Sequence, residues 1–86
     1  MQIHKIKIWD NYADAILCER KTFEVRYNDR GYRDGDLLEF TVIDPALNEV
    51  RPEHPLHGKK YLVTYIHHGL GMEENYVIMA IKEWGE

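Results

Sequence analysis

Hydrophobic and polar residues alternate along much of the chain, as they do in strands with one buried face. Ile3–Trp9 shows this alternation clearly, with Ile6 and Ile8 on the same face as His4. The last such segment, Tyr76–Glu83, is nearly all apolar and predicts a strand covered on both faces. The predicted strands are Ile3–Trp9, Lys21–Tyr27, Leu37–Ile43, Lys60–His67 and Tyr76–Glu83.

One helix is predicted between the first two strands, where the apolar spacing becomes helical. Asp10 or Asn11 is the expected N-cap, and the helix is expected to run to about Glu19 or Arg20. The predicted buried stripe consists of Trp9, Tyr12, Ala13, Ile16 and Leu17.

The resulting order is β-α-β-β-β-β in a chain of 86 residues. This length fits a single domain, residues 1–86, with one modest core. The fold class is α+β, mostly β: a small, twisted, barrel-like sheet of about five strands with the helix packed at the barrel mouth. Residues 44–58 hold all three prolines and are predicted to be a long surface loop.

The second predicted strand combines core-type and charged side chains. Because side chains alternate along a strand, Phe23 and Val25 are expected to point to the core, and Glu24 and Arg26 to the opposite face. Lys21 is expected at the junction of helix and strand. A carboxylate beside a guanidinium suits a planar heterocycle or a phosphate. The alternative is an exposed ion pair, worth about 0–1 kcal/mol.

Charge narrows the class of ligand. The net charge is −4 and the pI about 5.7, which disfavours coating of nucleic-acid duplexes. Residues 20–33 nevertheless carry five basic and two acidic side chains, a net +3, whereas residues 72–86 carry a net −3. A local basic patch on an acidic protein favours a small anionic or polar ligand.

The stretch RKTFEVR, residues 20–26, resembles the signature of the ASCH family, relatives of the PUA fold, whose pattern is G-x-K-x-x-E-x-R. Lys21, Glu24 and Arg26 match its Lys, Glu and Arg, and Glu19 stands where the pattern has Gly. HKIKIW, NDRGYRDGD and GLGMEENYVIMAIKE also look like a small, uncharacterised ASCH-related branch. The resemblance implies a PUA-like barrel with a cleft beside the helix that binds RNA or a modified nucleobase.

The expected ligand-binding residues are Lys21, Glu24, Arg26, Arg20, Tyr27 and Lys7. His4 and Lys7 match the family's first strand, with solvent exposure as the alternative. A related branch is similar to amidohydrolases that deacetylate acetylated cytidine, which makes Lys21 and Glu24 candidate catalytic residues. Glu24 occupies that branch's Thr position, and no motif identifies the distant acid, for which Glu73 or Glu74 is the candidate.

Other chemistry-bearing residues fit surface roles. His54 and His57 are expected to be solvated, and neither this pair nor His67-His68 predicts a metal site or cofactor. Cys18 is expected near the surface at the helix end. The candidate tyrosines for stacking on a base are Tyr27, Tyr32 and Tyr65, with a place in the core or at the rim of the barrel as the alternative.

Three functions are therefore compared. The first is binding of RNA or a modified nucleoside, the second is an amidohydrolase acting on an acylated nucleoside, and the third is a protein-interaction module of mobile-element or phage type. A single cysteine and a longest apolar run of six residues favour a cytoplasmic protein with no membrane partner. The oligomeric state is left open.

Overall fold

A computed structural model describes residues 1–85 as a curled, half-barrel sheet with a helix after the first strand. The elements are β1 Ile3–Trp9, α1 Asp10–Leu17, β2 Phe23–Tyr27, β3 Leu37–Asp44, β4 Glu49–Val50, β5 Lys60–His67 and β6 Tyr76–Trp84. The predicted order of one helix and five longer strands is confirmed. The two-residue β4 lies inside the segment that was predicted to be a surface loop.

The strand order across the sheet is β1-β3-β5-β6-β2, with β4 paired to β3. β1 runs parallel to β3, and every other pairing is antiparallel. β1 and β2 are therefore the two ends of the strand path, and α1 connects β1 to the segment that leads into β2.

The core lies inside the curled sheet, where alternate side chains of the strands meet the helix. Ala13 and Ile16 are the buried residues of α1. Leu56 is also fully buried, so residues 44–58 are not simply a surface loop as predicted. The core cluster comprises Ile6, Ile8, Ala13, Ile16, Tyr32, Leu38, Phe40, Val42, Leu56, Tyr61, Val63, Val77, Met79 and Ile81.

The helix differs from its prediction at both ends. It ends at Leu17, and its N-cap is Trp9, which makes no side-chain capping hydrogen bond. Trp9 and Tyr12 were predicted to be buried but are 49% and 46% exposed. This eight-residue helix buries only the narrow face formed by Ala13 and Ile16. The large side chains of Trp9 and Tyr12 therefore remain outside the core.

A left-handed residue terminates the helix. Glu19 has φ 63°, and its N–H donates to the Ile16 carbonyl at 3.0 Å. The Arg20 N–H donates to the Ala15 carbonyl at 3.0 Å, which completes a Schellman motif. The position that holds Gly in the ASCH pattern thus adopts the backbone conformation that Gly favours. The turn takes the chain through Lys21, and β2 begins at Phe23 rather than at Lys21.

The predicted facing of β2 is wrong. Phe23 and Val25 are 42% and 45% exposed, whereas Glu24 is only 5% exposed. The alternation itself is present, so the sequence identified two faces but not which of them is buried. The buried face carries a carboxylate because cations from nearby positions compensate it, as described below.

A bulge shifts the register of β5 against β6 between Val63 and Tyr65. Tyr61 and Val63 are buried, but Tyr65, which regular alternation places on the same face, is 62% exposed. In β6 the buried residues alternate with half-buried ones, so its second face is only partly covered.

Candidate functional site

The Glu24 carboxylate is the centre of a charged cluster on the inner face of β2. Its Oε1 lies 2.5 Å from Lys21 Nζ, and its Oε2 lies 2.7 Å from Arg26 Nε. The side chain of Glu24 is 6% exposed, that of Lys21 16% and that of Arg26 26%. Both carboxylate oxygens are thus neutralised by hydrogen-bonded cations, which is the condition under which a charge tolerates burial.

Lys21 reaches Glu24 from the turn that follows α1. Its ammonium also donates to the Phe23 carbonyl at 2.7 Å. The Nζ atom lies 5.1 Å from the centre of the Phe23 ring and 5.7 Å from that of the Tyr12 ring, within cation–π range. An ammonium has three N–H donors, and the two hydrogen bonds leave one of them for a ligand.

Arg26 connects the cluster to the opposite edge of the sheet. Besides Glu24, it donates through a terminal guanidinium nitrogen to the Lys7 carbonyl on β1. Arg30 makes a similar bond to the Lys5 carbonyl at 2.7 Å. β1 and β2 are not joined by a ladder of backbone hydrogen bonds. The contacts of these two arginines therefore bridge the two ends of the half-barrel.

Two open clefts meet at the cluster. The Arg20 cleft, about 730 Å³, is lined by Arg20, Lys21 and Phe23, among others. The Lys7 cleft, about 350 Å³, is lined by Lys7, Arg26 and Tyr27, among others. Three residues line both clefts: Tyr12, Glu24 and Val25. The six residues predicted to bind a ligand all line one or both clefts: Lys21, Glu24, Arg26, Arg20, Tyr27 and Lys7.

Trp9 and Tyr12 are among the aromatic residues of these clefts that were not predicted to belong to a site. Trp9 lines the Lys7 cleft and Tyr12 lines both, and their rings stack at 5.7 Å with an interplanar angle of 12°. A signal for Trp9 was present in the sequence, because His4, Ile6 and Ile8 define the buried face of β1 and an odd-numbered residue must face away.

His4 is buried rather than exposed. Its Nε2 lies 2.9 Å from Asp36 Oδ2, and its ring packs edge-on against Tyr32 at 4.8 Å. Burial raises the pKa of the Asp36 carboxyl, but hydrogen bonds from His4 and from the N–H groups of Gln2 and Arg33 outweigh it, so this pKa lies below its usual value. Burial also raises the pKa of Tyr32, which is 5% exposed and does not offer a stacking surface.

The histidines of the 51–58 segment have structural roles. His54 was predicted to be solvated but is buried, with its Nε2 2.7 Å from Asp14 Oδ1 and its Nδ1 accepting the Leu56 N–H. His57 Nδ1 accepts the Val42 N–H at 3.1 Å. Among residues 1–85, no group of three or more His, Cys, Asp or Glu side chains is arranged to hold a metal ion.

Cys18 is exposed, as predicted, and a hydrogen bond from Arg20 lowers the pKa of its thiol. Glu73 and Glu74 do not line the clefts at Lys21. They line a separate cleft of about 750 Å³ together with Tyr32 and Arg33. None of Lys21, Glu24 and Arg26 lines this cleft, so it is separate from the charged cluster.

The fold and this site define a class: small half-barrel domains with one helix and a charged, aromatic-lined cleft between the helix and an end strand. Residues 3–81 match the family described as a domain of unknown function, DUF3850, and the chain belongs to that family. No curated protein matches the chain. Within residues 1–85, no helix is long and apolar enough to cross a membrane.

Proposed function

We propose that this chain is a binding domain for RNA or a modified nucleoside, with the ligand held against Lys21, Glu24 and Arg26. The observation that supports it best is the cluster itself: a buried carboxylate fixes two cations at the point where two open clefts meet. Groups held in this way are already oriented before a ligand arrives, which lowers the entropic cost of binding.

The cluster offers both kinds of polar contact that a nucleobase edge requires. Lys21 retains a free N–H, and the Arg26 guanidinium has donors beyond those that reach Glu24 and Lys7. The Glu24 carboxylate has lone pairs to accept a base N–H. Unpaired bases are read along their edges and stacked on aromatic side chains, and this site provides both surfaces.

The proposal includes no reaction. The ammonium of Lys21 donates to Glu24 and to the Phe23 carbonyl, an arrangement that suits a binding group rather than a proton acceptor. The amidohydrolase implied by the ASCH resemblance also needs a second acid, and Glu73 and Glu74 line a different cleft.

Replacing Lys21 with methionine tests the proposal, since Met keeps most of the apolar stem and removes the charge. A charge-assisted hydrogen bond contributes about 1.5–3 kcal/mol, so Lys21→Met should weaken binding roughly 10- to 150-fold. The ligands are a random-sequence pool of pentaribonucleotides and acetylated cytidine, with affinity measured by NMR titration. Lys82→Met on β6, outside both clefts, is the matched control and should bind like wild type.

Equal affinity of wild type and Lys21→Met would contradict the proposal, provided that circular dichroism shows both to be folded. So would the absence of amide shifts with either ligand at millimolar concentration. Release of cytidine from acetylated cytidine by wild type, abolished in Lys21→Met, would instead support the amidohydrolase.

A further inference from the structure

We infer that the ligand is a short single strand of RNA, at least two nucleotides long, which occupies both clefts at once. In this arrangement its bases stack on Trp9 and Tyr12, and its phosphates lie at Arg20 and Lys7. The inference rests on the proposed function and narrows its ligand class, because it excludes a free nucleoside as the preferred ligand.

The aromatic pair provides the stacking surface. Trp9 and Tyr12 cover part of each other, yet each leaves nearly half of its surface exposed, 49% and 46%. Tyr12 lies beside a cation, since the centre of its ring is 5.7 Å from the Lys21 ammonium nitrogen. Exposed aromatics next to basic groups are the arrangement used to bind single strands.

The unpaired cations lie in different clefts. Lys7 lines one cleft and Arg20 the other, and neither has an acidic ion-pair partner among residues 1–85. By contrast, Lys59, the residue before β5, pairs with Glu83 at 2.8 Å. Free positive charge at two separate places suits two phosphates better than one.

The clefts are adjacent, because Tyr12, Glu24 and Val25 line both of them. Their volumes, about 730 and 350 Å³, each fall within the range of roughly 300–1,000 Å³ that is typical of small-ligand sites. Their combined volume lies above the upper end of that range, which favours a ligand larger than a single small molecule. The net charge of −4 argues against a long footprint, so the strand is short.

The first test compares the random pentaribonucleotide pool with a pool of the four nucleoside monophosphates on the wild-type protein. Each additional stacked base raises the affinity about five- to 150-fold. The pentaribonucleotides should therefore bind at least fivefold more tightly than the nucleoside monophosphates. Tyr12→Ala should lower the affinity for the pentaribonucleotides about five- to 150-fold, and Tyr12→Phe should keep most of the wild-type affinity. Tyr65→Ala, an exposed tyrosine outside both clefts, should have no effect.

The second test is salt dependence. A single-stranded ligand loses affinity with a slope of about −0.7 per phosphate contact in a plot of log K against log salt. Lys7→Met and Arg20→Met should each reduce the magnitude of the slope by about 0.7, whereas Lys82→Met should leave it unchanged.

Monophosphates that bind as tightly as the pentaribonucleotides would overturn the inference while leaving the proposed function intact. A salt slope unaffected by Lys7→Met and Arg20→Met would also overturn it. If neither pool binds and acetylated cytidine does not bind either, the proposed function itself fails.

Discussion

At the scale of single residues, Glu24 combines structure and site in one side chain. It is buried on the inner face of β2, it accepts hydrogen bonds from Lys21 and Arg26, and it lines both clefts. A carboxylate in this position fixes the fold locally because removing its charge leaves two partly buried cations facing each other. We therefore expect this one residue to affect both the free energy of unfolding and the proposed ligand binding.

Glu24→Gln should lower the free energy of unfolding by about 2–4 kcal/mol, because the neutral amide cannot compensate Lys21 and Arg26. The measurement is urea denaturation at neutral pH. Glu49→Gln, on the exposed two-residue β4, is the matched control and should change stability by less than about 0.5 kcal/mol. Equal small effects at both positions would show that the Glu24 cluster contributes little to stability.

Because of Asp36, we expect the free energy of unfolding to depend on pH in the acidic range. Its pKa is lower in the folded protein than its usual value, so the unfolded chain takes up this proton first as the pH falls. The stabilisation is fully present above the ordinary carboxyl pKa of about 3.9 and is lost as the pH falls through the lower folded value.

Stability should therefore decrease below about pH 5, and Asp36→Asn should reduce that decrease while lowering stability at neutral pH. Urea denaturation at a series of pH values measures both effects. A wild-type stability that stays constant from pH 6 to pH 3 would contradict the assignment.

At the scale of elements, the positions of the helix and strands could be predicted well from the sequence. Which face of each element is buried could be predicted less well. The bounds of β1 and β5 match the alternation pattern. The facing of β2 was inverted because hydrophobicity alone cannot show that a carboxylate will be neutralised from two sides. The exposure of Trp9 and Tyr12 was missed because helical spacing does not reveal how short the helix is or how narrow a face it buries.

The site was more predictable than the packing around it. Lys21, Glu24 and Arg26 were chosen from a local motif, and they are brought together by the turn after α1 and by two-residue spacing on β2. The burial of His54 against Asp14 depends on contacts across forty positions of sequence, for which one sequence gives no signal.

The turn after α1 offers a further prediction. Glu19 adopts φ 63°, a left-handed conformation that costs an L-residue about 1–2 kcal/mol. Glu19→Gly should therefore stabilise the protein by about 0.5–1 kcal/mol, after allowance for the greater freedom of Gly in the unfolded chain. Thermal and urea denaturation measure the gain.

Glu49→Gly is the control, because Glu49 lies in a strand and is not left-handed, and this variant should lose stability. A loss of stability in Glu19→Gly as well would mean that the cap is not strained.

At the scale of the whole molecule, the half-barrel and the site depend on the same side chains. β1 and β2 end the strand path without a ladder between them, and Arg26 and Arg30 bridge them through carbonyls of Lys7 and Lys5. The clefts lie beside this unpaired seam, against the helix. The candidate site thus lies where the sheet is left open, and charged side chains line that opening.

The most direct test of the central claim is an NMR titration of the wild-type protein with the random pentaribonucleotide pool, followed through the backbone amides. The account predicts that saturable shifts concentrate in residues 7–12 and 20–27, which line the Arg20 and Lys7 clefts. Shifts confined to residues 66–75, at the separate cleft of Glu73 and Glu74, or no shifts at millimolar RNA, would contradict it.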